Sequence, residues 1–380
     1  SWSTRSGRAR LYQVALAAAL VLAAAFLWTN LRENLASRQI RSGFDFLRES
    51  AGFAIGEGPV RYTPSDSYAW AFAAGVANTL RVAAVGIAFA TILGTLVGIG
   101  RLSRNVLVRG ACATYVEVLR NIPLLLQLLA WYLVATELLP EATTPIQLAP
   151  HVYLSKEGLQ LPVPVWARGW ALALTALPFG LLGAWGLFRW ARSRREHTGH
   201  TPQVLWPALV VAVGLPVAGW LAGGAPRELD LPEITTFNVA GGLGMTPEFL
   251  TLVFGLATFT AAYIAEIVRS GILAVPHGQS EAAAAIGLSR RQTLRLVVLP
   301  QALRVIVPPL TSQFLNLTKN SSLAVAIGFP DLVSITNTAI NQNGQALECI
   351  LLIMSVYLTI NLATALGMGW YNRRVALVER

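Results

Sequence analysis

The side chains able to do chemistry in this 380-residue chain are sparse, and the informative ones fall inside apolar stretches. Gln313, Asn316 and Asn320 recur at helical spacing on one face, with Lys319 one turn from Asn316. An amide or ammonium is costly in hydrocarbon, so it turns to a cavity or a neighbouring helix. The stripe therefore either lines a path for a polar solute, with Lys319 attracting a carboxylate, or makes interhelical hydrogen bonds. Gln127 shares a face with Trp131 and is a second path candidate. Glu266 invites a role in binding an amino group. Its position eighteen residues past Glu248, about 27 Å along a helix and one turn from Arg269, equally suits an ion pair near a membrane boundary.

Bond-making chemistry has little to stand on. A phosphate-binding loop needs Lys after Gly, and the only lysines, Lys156 and Lys319, follow other residues, so the chain is expected to bind no ATP and no cofactor itself. The histidines His151, His197, His200 and His277 are scattered, and Cys112 and Cys349 suggest neither a metal site nor a disulfide framework.

A different pattern stands out at Glu281-Ala282-Ala283, followed by Gly287 and then by Val297, Leu299 and Pro300. Ser280 is placed to cap a short helix, with Glu281 in its first turn against the positive end of the dipole. Gly287 suits a left-handed helix end, and Ser289-Arg290-Arg291-Gln292 has the form of a capping box for a second helix, which Pro300 would limit. The arrangement suggests a docking element.

Stepping out to what must hold these residues, 54% of the chain is hydrophobic and 13% charged, which demands a bilayer as solvent. The net charge of +10 comes from arginines clustered beside apolar runs, a positive-inside pattern that argues against nucleic acid as partner. Apolar runs near 11–28, 72–100, 111–137, 169–188, 204–224, 248–274, 303–325 and 347–369 predict an all-α integral membrane protein of about eight transmembrane helices. Alternation from Arg5, Arg8 and Arg10 places both termini and the loops 189–203 and 279–299 inside. The polar segment 29–67 is then an outer, exposed subdomain, and the first span is expected to be retained as an anchor.

The spacing E-A-A-x3-G-x9-V-x-L-P resembles the cytoplasmic loop of ABC importer permeases, with Val297 where that family usually has Ile. Gly75 with Asn78-Thr79-Leu80, the run Arg120-Asn121-Ile122-Pro123-Leu124-Leu125-Leu126-Gln127, the run Ala262 to Arg269, Asn320-Ser321-Ser322-Leu323 and Ile327-Gly328-Phe329-Pro330-Asp331-Leu332 also look like its amino-acid subfamily. The long outer segment and inserted hairpin resemble the larger permease subunit of broad-specificity L-amino-acid systems. The resemblance implies a five-helix type I importer core, to which this chain adds an N-terminal span and a two-span hairpin. Its domains would be 1–67, an anchor and outer segment; 68–372, the permease domain with insertion 138–247; the coupling loop 279–301; and a cytoplasmic tail, 373–380. It also implies that Glu281, Ala282, Ala283 and Gly287 meet an ATPase dimer carrying ATP-Mg. A second permease subunit, a periplasmic amino-acid-binding protein and alternating access in a bacterial inner membrane complete the implication. The rival reading is a stand-alone ion-coupled transporter or channel; such proteins often show duplicated halves, and no motif here occurs twice.

Overall fold

The computed structural model describes residues 5–37, 43–198 and 202–375, so His200 and most of the expected tail 373–380 lie outside the described residues. In chain order the helices and strands are α1 Arg5–Ser37, α2 Tyr68–Gly100, α3 Val106–Asn121, α4 Leu124–Leu133, β1 Ile146–Ala149, β2 Val152–Ser155, β3 Gly158–Leu161 and β4 Val163–Pro164. The inserted hairpin is α5 Arg168–Thr198 and α6 Leu205–Ala222, followed by β5 Leu229–Asp230, β6 Glu233–Ile234, β7 Val239–Ala240 and β8 Leu243–Met245. The chain closes with α7 Pro247–Leu273, α8 His277–Ala285, α9 Arg290–Thr293, α10 Leu299–Asn320, α11 Leu332–Asn343 and α12 Ala346–Val375.

Among the described residues, six helical runs are long and apolar enough to cross a bilayer: Tyr68–Gly100, Arg168–Arg195, Leu205–Ala222, Pro247–Leu273, Arg290–Ile327 and Ala346–Tyr371. The stretch expected as one straight span over 111–137 is instead two helices bent by 104°, a seventh crossing if the pair is taken together. In α1 the helix is long but its apolar part, Tyr12–Leu27, is shorter than the others. The expected count of eight therefore becomes six or seven, plus this shorter stretch.

Pro123 causes the bend, because it has no N–H to give to the carbonyl of Leu119. Gln127, a path candidate by sequence, supplies the missing donors: its Nε2 gives to the carbonyls of both Leu119 and Ile122 at 2.8 Å. It is buried, and its amide closes the break.

The chain divides into two compact units, 1–133 with 248–380, and 134–247. In the first, α7 is the most enclosed helix, and small residues let its neighbours approach. A Cβ on Gly94 would lie 2.7 Å from the Ile264 Cβ, and one on Gly98 would lie 2.7 Å from the Ala265 carbonyl oxygen. Segment 43–67 is not free-standing. Phe46 packs edge-on against Tyr68 and Phe72, at 5.6 and 6.5 Å between ring centres, in a core shared with Leu332, Ile335 and Cys349. Asn78 gives to the carbonyls of Glu57 and Pro330, both at 2.8 Å, and Thr79 accepts from the Leu332 N–H at 3.1 Å. These buried polar contacts fasten α2 to the start of α11. Asp331, in the connection between two spans, caps α11 by accepting from the Ser334 N–H at 2.8 Å. Burial pushes its carboxyl up to about 7, against the opposing pull of the backbone N–H donors.

The second unit, 134–247, contains the helices α5 and α6. Small sheets occupy its loops: β1-β2-β3-β8, β4-β5 and β6-β7, all antiparallel, with β3–β8 and β4–β5 pairing segments on either side of the hairpin. Helices α5 and α6 pack closely through Gly169, Gly180, Gly219 and Gly223, where any Cβ would strike the opposing backbone within 3.0 Å.

Two outcomes test this packing. Gly94→Val and Gly98→Val should each cost about 1–3 kcal/mol and lower the melting temperature of the purified chain, whereas Gly110→Ala, with open space around it, should not. For Asp331 the folded pKa lies above the unfolded one, so the folded state holds a proton that the unfolded state has released. Stability from this group is then present below the unfolded value and lost as pH rises to about 7. Asp331→Asn, which keeps the capping oxygen, should flatten the melting-temperature profile between about pH 4 and 7.

Candidate functional site

Two features collect the polar residues singled out by sequence. The first is the loop between α7 and α10. Helix α8 begins at His277 with Pro276 as its cap, so Ser280 is inside the helix and Glu281 is past the first turn. The expected Ser280 cap and dipole contact of Glu281 are therefore not formed; Pro276, which has no N–H to satisfy, opens the helix one turn earlier. The other end follows the sequence. Gly287 adopts φ +80°, the Gly287 N–H gives to Ala284 at 2.9 Å, and the Leu288 N–H gives to Ala283 at 3.1 Å. This is the paired hydrogen-bond arrangement that a left-handed glycine permits. Ser289 and Gln292 form the full capping box of α9.

Pro300 does not end the second helix. A wider turn over Leu294–Val298, in which the Leu299 N–H gives to the Leu294 carbonyl five residues back, joins α9 directly to α10. Pro300 then lies in the first turn of α10, where its missing N–H costs nothing. A hydrogen bond of 3.3 Å from Gln301 to Gln279 ties α8 to the same helix. Glu281, Ala282 and Gly287 are exposed, while Ala283 is buried and faces the protein. Ile286, which sequence reasoning passed over, is 77% exposed between them. An apolar residue at the helix end before the glycine was its only signal.

The second feature is a cavity of 270 Å³ lined by Phe259, Thr260 and Tyr263 of α7 with Gln313, Asn316 and Asn320 of α10. The amide stripe is thus brought to one place. Thr260 lies about 20 Å along α7 from Pro247, near mid-membrane depth. Lys319 is not among the lining residues; it projects to the exposed side of α10. One residue beyond the shared face is 100° away on a helix, which rotates it out of the stripe. Arg120 of α3 is not among the lining residues either; its guanidinium stacks on the Tyr263 ring, 5.0 Å from the ring centre. Sequence spacing gave no sign of this contact, which joins α3 to α7.

Glu266 is also absent from the cavity lining. Its carboxylate contacts Arg101, the cap of α2, and Arg269 Nη2 at 2.5 Å, so it fastens the ends of two helices. Among the described residues no group of three or more His, Cys, Asp or Glu is placed to hold a metal ion.

Residues 201–377 match the family model described as the binding-protein-dependent transport system inner membrane component. The chain is 45% identical over 388 residues to the general L-amino acid transport system permease protein AapQ of Rhizobium johnstonii, covering all of this chain and 96% of that protein. It is 44% identical to the putative amino-acid ABC transporter permease protein YhdX of Escherichia coli, covering all of this chain and 97% of that protein. Against the glutamate/glutamine/aspartate/asparagine transport system permease protein BztB of Rhodobacter capsulatus, identity is 38% over 98% of this chain and 95% of that protein. The likeness runs through both units, and the chain belongs to the binding-protein-dependent transport system inner membrane component family.

Proposed function

We propose that this chain is the transmembrane permease subunit of an ATP-driven importer of L-amino acids. The full-length likeness to permeases named for amino-acid transport carries the reading. In it the chain hydrolyses nothing. A separate ATPase dimer, loaded with ATP-Mg, supplies the work, a second homologous permease completes the pathway, and a periplasmic protein delivers the substrate. Both termini face the cytoplasm of a bacterial inner membrane, as the basic clusters favour.

The α8 loop suits the ATPase contact. Glu281 and Ala282 offer an exposed charged and small surface, and Ile286 adds an exposed apolar side chain at its edge. Schellman-type closure at Gly287 and the unbroken run through the wide turn make the loop a stiff extension of α10, so a push on α8 moves α10. The α7–α10 cavity suits the solute: amides from Gln313, Asn316 and Asn320 match polar groups leaving water, and Arg120 supplies the cation for a carboxylate. A stand-alone transporter gains nothing from the exposed loop, and the relatives named as ABC permeases speak against it.

Purification of the tagged chain from its native membrane should bring an ATPase and a second permease with it; an isolated chain that transports alone would overturn the reading. Glu281→Lys and Gly287→Leu should abolish ATP-dependent uptake while leaving the chain inserted at normal abundance, as measured by radiolabelled uptake and immunoblot. The Gly287 change also forces a side chain into the left-handed region at about 1–2 kcal/mol. Arg120→Gln and Asn316→Ala should raise the half-saturation concentration for amino acids about tenfold or more, the loss expected for a charge-assisted hydrogen bond. Lys319→Ala should leave it unchanged.

A further inference from the structure

The inserted hairpin carries aromatic side chains at both ends. Trp170 and Trp220 meet at one end, with ring centres 6.1 Å apart. At the other, Trp185, Trp190 and Trp206 are all exposed. Close approach of Gly180 to Ala212 and of Gly219 to Leu172 fixes the pairing of the two helices, so Trp206 lies about level with Gly186. Trp170 and Trp190 are twenty residues apart on α5, about 30 Å, which is the thickness of the hydrocarbon core. The two sets of indoles thus mark the two membrane–water boundaries of this unit.

At the boundary marked by Trp185, Trp190 and Trp206, α5 carries Arg189, Arg192, Arg194 and Arg195, all exposed, and the sequence from 189 to 203 holds one acid, Glu196. Two of these guanidinium groups lie over indole rings: Arg189 is 4.7 Å from the centre of Trp185, and Arg194 is 5.3 Å from the centre of Trp190. Stacking of this kind holds a guanidinium near the boundary plane. At Arg189 the in-plane N–H donors, which suit phosphate bidentately, then lie at headgroup depth.

We propose that the basic end of the α5–α6 hairpin is a binding site for the phosphate of anionic phospholipids. Arg189 and Arg194 are positioned by Trp185 and Trp190, and Arg192 and Arg195 add charge to the same headgroup layer. The apolar flanks of Phe188 and Trp206, both exposed, take the upper acyl chains. The proposal rests on the hairpin crossing a membrane and not on what the protein transports. Positive charge at this end also orients the hairpin, but orientation needs only charge, whereas the stacked pairs add a geometry that lysine does not supply.

The full-length chain, purified in mild detergent and titrated with phosphatidylglycerol or phosphatidylethanolamine, would be examined by native mass spectrometry. Wild type should bind phosphatidylglycerol in preference, and R189Q/R192Q/R194Q/R195Q should weaken that binding about tenfold or more. Because the glutamines also remove orienting charge, R189K/R194K is the second variant. It keeps the charge and should weaken binding severalfold, reporting on the stacked guanidinium groups alone. Inorganic phosphate up to millimolar concentration should not displace the lipid, since the acyl chains contribute; displacement would mark a free-anion site and overturn the lipid assignment. Equal binding of both lipids by wild type, or unchanged phosphatidylglycerol binding in both variants, would overturn the proposal. So would loss of a co-purifying protein from the variants with lipid binding intact, which would make the cluster a protein contact.

Discussion

No water is available in hydrocarbon to satisfy a backbone group, and each irregularity in the spans is organised around that constraint. Pro123 breaks the crossing at residues 122–123, and the Gln127 amide returns hydrogen bonds to the carbonyls of Leu119 and Ile122. Before α10 the ladder widens by one residue, so that the Leu299 N–H still finds the Leu294 carbonyl and Pro300 falls where no donor is required. At the other end of α10, residues 321–327 tighten into a 3-10 turn closed by Gly328 at φ +79°. The polar residues that looked most functional by composition therefore divide: Gln127 repairs the backbone, Glu266 pairs with two arginines, Lys319 is exposed, and Gln313, Asn316 and Asn320 face a cavity.

That division gives the loop and the cavity a shared mechanical element. Helix α10 carries Gln313, Asn316 and Asn320 into the cavity and, at its start, continues through the wide turn into α9. The hydrogen bond between Gln279 and Gln301 adds a second tie to α8. On the facing side, α7 brings Thr260 and Tyr263 to the cavity and, one turn on, sends Glu266 to Arg101 and Arg269. Close helix approach at Gly94 and Gly98 keeps α2 against this same helix, and at Gly86 against α10.

The insertion follows a different economy. Its two helices bury glycine-lined faces against each other and expose large apolar side chains on every other face, which leaves the bilayer as their remaining solvent. The short sheets over 146–245 close its loops with main-chain hydrogen bonds where no helix is present.

Much of this was legible without coordinates, because the bilayer imposes strong one-dimensional rules. Apolar run length marked most of the long helices, and the spacing from Glu281 to Pro300 marked the loop with its Gly287 turn and its Ser289–Gln292 capping box. The face shared by Gln313, Asn316 and Asn320 followed from helical periodicity alone. What needed the tertiary structure was every choice between equivalent local options. Ser280 and Pro276 are both able to open α8, and the chain starts at Pro276. Gln127 read as a path residue, and Glu266 as a path residue or an ion pair; the structure sets the first against the carbonyls of a broken helix and the second against two arginines. Lys319 read as the cation of the stripe, but helix rotation turns it to the exposed side, and only the approach of α3 to α7 puts the Arg120 guanidinium over Tyr263. Periodicity assigns a residue to a face of its own helix; which neighbour that face meets is fixed by packing between elements far apart in the chain.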